Sequence, residues 1–128
     1  FGDVAIEEFK PERARDLDLA LLAVSGDFAK EHAPGLVKSG VAVVDNSSAF
    51  RLQDDVPLVV PEVNAHAVGD ARLIANPNCT TAILVVALQP LHAAFGLKRV
   101  IVSTYQAASG AGAEGMAELE RESRRVLV

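Results

Sequence analysis

The chain has 128 residues, half of them apolar and 23% charged, enough to bury a core in one compact domain or in part of a larger one. Seventeen acidic against twelve basic residues give a net charge of -5, and no basic cluster occurs beyond residues 121–125, which argues against nucleic acid or an anionic membrane as partner. The longest apolar stretch, residues 82–88, is far too short to span a bilayer, so a soluble protein is expected.

In chain order, residues 4–9 predict a short strand and residues 10–16 a charged connection. Residues 17–24 are almost wholly apolar, the pattern of a strand buried on both faces of a parallel sheet. Ser25-Gly26-Asp27 supplies a turn and an N-cap for a helix over 28–38. Gly40 suits the left-handed cap that ends it, and residues 41–44 form a second buried strand. This strand-helix-strand unit implies a parallel α/β sheet with a right-handed crossover. The polar loop 45–55 follows a strand's C-terminal end, where open α/β sheets place ligands.

A short strand over 58–60, a turn with a helical piece over 61–67 and a strand over 72–75 come next. Asn76-Pro77-Asn78 breaks the chain before an apolar run over 79–95, too long for a strand and hence a buried helix, kinked at Pro90 and stopped by Gly96. Residues 100–108 are rich in β-branched side chains and predict a strand, and residues 112–128 an amphipathic helix.

Few residues stand out as candidates for chemistry. The single cysteine, Cys79, excludes an internal disulfide and a Cys-rich zinc site, and suits a reducing, cytoplasmic compartment. Asn78 is a good N-cap, which would put the thiol in a first helical turn, where N–H groups and the helix dipole stabilise a thiolate and an oxyanion. An isolated cysteine is as readily a small buried hydrophobe, and both readings stand on sequence. Arg51, among hydroxyls and amides, suits two-point binding of phosphate or carboxylate, or is a solvated surface residue. Gly110-Ala111-Gly112-Ala113-Glu114-Gly115 fits G-x-G-x-x-G, but Glu114 at a helix start would repel a pyrophosphate, so these glycines predict a tight turn with close backbone approach. His32, His66 and His92 have no metal-ligand spacing, and no metal is expected.

Four segments occur in order: 44–51 (Val-Asp-Asn-Ser-Ser-Ala-Phe-Arg), 59–64 (Val-Val-Pro-Glu-Val-Asn), 75–81 (Ala-Asn-Pro-Asn-Cys-Thr-Thr) and 105–112 (Tyr-Gln-Ala-Ala-Ser-Gly-Ala-Gly). Together they resemble the aspartate-semialdehyde dehydrogenase family over nearly the whole chain. The related N-acetyl-glutamyl-phosphate reductases typically have glycine where Asn78 stands. A non-catalytic α/β binding or assembly module is the alternative from another class.

The resemblance implies an α/β fragment: a partial Rossmann-like parallel sheet joined to the start of an α+β catalytic and dimerisation domain. Residues 1–77 would be the later part of the NADP-binding domain and residues 78–128 the start of the second. Cys79 matches the nucleophile, Gln106 the residue that orients substrate, and Arg51 the phosphate-binding residue; Asn78 shapes the site. Ser109, Gly110 and Asn46 are the cofactor-contact candidates, for NADP. Implied partners are aspartate semialdehyde or aspartyl phosphate and inorganic phosphate, in a homodimer or homotetramer of the full-length parent. The setting would be lysine, threonine and methionine biosynthesis. The family's glycine-rich loop would precede Phe1 and its histidine base would follow Val128, so the isolated chain is expected to be inactive. Asp27, beside Ser25-Gly26, is an unfavourable neighbour for a cofactor phosphate.

Overall fold

A computed structural model describes residue 3 and residues 5–127 of the chain. It divides into two compact units, Phe1–Gly96 and Leu97–Val128.

In the first unit, a short helix α1 (Pro11–Ala14) leads to strand β1 (Leu19–Leu22), helix α2 (Gly26–Lys38) and strand β2 (Ala42–Asp45). Helix α3 (Pro61–Asn64), a 3-10 turn (Ala65–Val68), strand β3 (Leu73–Ala75) and helix α4 (Cys79–Phe95) follow. The three strands lie in the order β1-β2-β3, all parallel, so the expected α/β class and the strand-helix-strand unit are present. Ser25 caps α2 by accepting a hydrogen bond from Phe28 N at 3.3 Å, and Gly40 turns the chain at φ 95°, a conformation that a side chain would resist.

Side chains alternate across a strand, so each row of the sheet has one face. Ala20, Val43 and Leu73 form one register row, and Leu22, Asp45 and Ala75 the next row on that face. Helix α2 covers it with Ala29, Ala33 and Leu36, and with Val41 and Phe50 these residues make the core. The other face differs from the expectation of a first strand buried on both sides. Leu19 and Leu21 are exposed; β1 is the edge strand of the described sheet.

The expected strand over 4–9 is not formed. Residue 4 lies outside the described residues, and residues 5–9 carry no strand. Phe9 instead packs against Phe28 and His32, with ring centroids 5.0 and 4.9 Å away. The 58–60 strand is reduced to one parallel bridge, Leu58 to Ala75, since Pro57 and Pro61 on either side cannot donate to a ladder.

Helix α4 has the expected bounds, is continuous through Pro90 and ends at Gly96 in the left-handed conformation. It is not buried as expected: none of its residues is, and Ile83 and Phe95 are 73% and 80% exposed. Apolar composition selected the helix, but α3 is its main neighbour here and covers little of it.

In the second unit, a 3-10 turn (Ala108–Ala111) opens directly into helix α5 (Gly112–Leu127). The expected strand over 100–108 is absent: residues 100–107 have no regular structure and Ala108 starts the turn. β-branched composition favours a strand only where a neighbour satisfies its backbone, and no described strand pairs with this stretch. The glycine pattern does form a tight turn. Gly112 has φ 79°, and a Cβ on Gly115 would lie 2.6 Å from the Ala111 Cβ and 3.1 Å from the Ala108 carbonyl. The close approach that Gly115 permits is to its own chain.

Candidate functional site

The candidate residues of the first unit gather where the parallel strands end. The Asp45 side chain, at the end of β2, is fully buried. Its Oδ1 accepts from Ser47 N at 3.1 Å and its Oδ2 from Ser47 Oγ at 2.7 Å, while Ser47 Oγ accepts from Ala49 N at 3.1 Å. This side chain-to-backbone turn folds the polar loop back over the sheet edge. Backbone bonds continue the ladder past the strands: Asn46 N donates to Leu22 O at 2.9 Å and Asn76 N to Asp45 O at 2.8 Å.

Arg51 is not a solvated surface arginine. It is partly buried, its Nε donates to the Asn76 carbonyl at 2.8 Å, and its Nη2 donates to the Asn46 carbonyl at 3.0 Å. Asn76 Nδ2 also donates to Asn46 Oδ1 at 2.6 Å. The guanidinium and the amide pair thus tie the ends of β2 and β3 together.

Two residues beyond Asn76, Asn78 caps α4. Its Oδ1 accepts from Thr80 N at 3.1 Å and from Thr80 Oγ1 at 2.6 Å. Cys79 is therefore the first residue of α4, and it is exposed. Beside the helix lies a cleft of about 460 Å3 lined by Val60, Glu62, Asn76, Ala82, Ile83 and Val86, among others. Asn64 braces its wall: its Oδ1 accepts from Val60 N at 2.8 Å and its Nδ2 donates to Leu58 O at 3.0 Å. An exposed thiol at the start of a capped helix can serve as a nucleophile toward a carbonyl.

Asn46, Arg51, Asn78 and Cys79 thus belong to the first unit, whereas Gln106, Ser109 and Gly110 belong to the second. There, Gln106 is exposed just ahead of the 3-10 turn that holds Ser109 and Gly110, and Gly110 N donates to Ala107 O at 3.2 Å. Sequence reasoning missed Asn76 and the organising roles of Asp45 and Ser47. An Asp-x-Ser after a strand is a readable turn signal; Asn76 carries none, because its partners lie 25 and 30 residues away.

No helix of the described residues is long and apolar enough to cross a membrane. Residues 1–71 match the semialdehyde dehydrogenase NAD-binding domain, and residues 88–127 the semialdehyde dehydrogenase dimerisation domain. The aspartate-semialdehyde dehydrogenase of Aquifex aeolicus is 50% identical over 118 residues, which cover 90% of this chain and 35% of that protein. Aspartate semialdehyde dehydrogenase II from Vibrio cholerae, solved in complex with ASA, is 41% identical with a TM-score of 0.76, over 95% of this chain and 36% of that one. The enzyme from Candida albicans, solved with NADP, is 32% identical with a TM-score of 0.57, over 62% of this chain and 27% of that one. The chain spans about a third of the length of the curated relatives it matches. With both domain matches and the parallel sheet in agreement, the chain belongs to the aspartate-semialdehyde dehydrogenase family of oxidoreductases.

Proposed function

We propose that the chain is the nucleophile-bearing part of an NADP-dependent, phosphorylating aspartate-semialdehyde dehydrogenase of the cytoplasm, acting in aspartate-family amino-acid biosynthesis. Residues 1–77 serve as the later part of the cofactor domain and residues 78–128 as the start of the catalytic and dimerisation domain, in a homodimer or homotetramer. The observation that carries this reading is the exposed Cys79 at the first position of a capped helix.

The Cys79 thiolate attacks the aldehyde carbon and forms a hemithioacetal, whose oxyanion the first N–H groups of α4 are suited to stabilise. Loss of hydride from that carbon leaves a thioester on Cys79. Inorganic phosphate then attacks the thioester carbon, releasing aspartyl phosphate and regenerating the thiolate; the biosynthetic direction is the reverse. Gln106 orients the substrate, and Asn78 fixes where α4 begins. Arg51 binds the phosphate group: Nε and one N–H of Nη2 are held by carbonyls, so Nη1 and the second N–H of Nη2 are the donors to meet an anion.

Bound NADP would supply the hydride acceptor. The donor set at the ends of β1 and β2, with Ser25, Gly26 and Asn46, suits the uncharged parts of a dinucleotide. Asp27, in the first turn of α2, opposes a phosphate there. Ser109 and Gly110 are the further contacts.

The test is a turnover assay on the full-length protein that carries this chain. Phosphate-dependent NADP reduction with aspartate semialdehyde is expected. Preference for N-acetylglutamate semialdehyde would transfer the chain to the related reductases, and binding without turnover would leave a non-catalytic module.

A further inference from the structure

The turn that presents Cys79 is held from outside its own helix. Asn76 is fixed at three atoms: its N–H by the Asp45 carbonyl, its carbonyl by Arg51 Nε, and its side-chain Nδ2 by Asn46 Oδ1. Pro77, which follows, is buried and has a restricted φ, and Asn78 is locked in its cap by Thr80. From Asn76 to Cys79 the chain therefore has little freedom, and the side-chain bond to Asn46 is the member of this set that a substitution at Asn76 itself removes. Asn76 also lines the cleft beside α4.

We propose that Asn76 is a positioning residue, which through its bond to Asn46 and its carbonyl contact with Arg51 couples the loop after β2 to the start of α4 and so sets the place of the Cys79 thiol. The proposal rests on the reading of Cys79 as nucleophile. Asn76 itself performs no step; it aligns the groups that do, and misplacement by about 1 Å is enough to cost on the order of a hundredfold in rate.

The experiment compares Asn76→Ala and the isosteric Asn76→Asp, which replaces the amide donor by a second acceptor, in the full-length protein. Expected is a fall in kcat of about ten- to a hundredfold with a much smaller change in KM for the aldehyde. The rate of Cys79 alkylation by iodoacetamide, measured without substrate or NADP, falls in parallel, because a loosened first turn no longer holds the thiol in its exposed position. For alkylation, adding Asn46→Ala to Asn76→Ala costs no more than either change alone, as a shared bond requires. Alkylation at the wild-type rate in both Asn76 variants, or losses that simply multiply in the double variant, would overturn the proposal. Should the wild-type protein show no turnover, the dehydrogenase reading fails by that result, while the alkylation comparison still decides the role of Asn76.

Discussion

Helices α2 and α4 make an instructive pair. Helix α2 is mixed in composition, yet Ala29, Ala33 and Leu36 are buried against Leu22, Val43 and Ala75. Helix α4 is the more apolar of the two, yet no residue in it is buried. An apolar run determines that a helix forms and how far it extends. Burial needs a second surface with matching rows, and only the α2 side of the sheet has one among the described residues. Apolar content is thus a guide to element type, and contact partners are what turn it into stability.

Two substitutions probe this contrast in the 128-residue chain. Leu36→Ala removes a side chain that is 3% exposed and central to the core; it is expected to lower unfolding stability by about 2–5 kcal/mol, read by denaturant melts. Ile83→Ala removes a similar volume from a side chain that is 73% exposed, and the better helix propensity of alanine offsets part of the loss. Its effect is expected to stay within about 0.5 kcal/mol. Equal losses at the two positions would show that α4 is covered in solution and that the contrast is wrong.

The same contrast explains what could be read from the residues alone. Local signals were legible: the Ser25 and Asn78 caps and the Gly40 and Gly96 stops give α2 and α4 close to their observed bounds. Features that depend on a distant partner were not. Residues 100–107 have strand-like composition but no described strand to pair with, and Leu21 lies on the sheet face opposite α2. In the site, Cys79 was legible because its cap is the preceding residue. The anchoring of Arg51 and the part played by Asn76 were not, because they arise only when the ends of β2 and β3 come side by side. The family resemblance supplied the roles of Gln106, Ser109 and Gly110, which no local pattern singles out.

If Cys79 carries the acyl group, the group can be trapped on it. Full-length protein is incubated with aspartate semialdehyde and NADP without phosphate, digested, and the Cys79 peptide is weighed by mass spectrometry. Expected is an added aspartyl group on Cys79, discharged when phosphate is supplied and missing from Cys79→Ser, which also loses turnover. Unmodified Cys79 during active turnover, or a Cys79→Ser protein that still turns over, would contradict it.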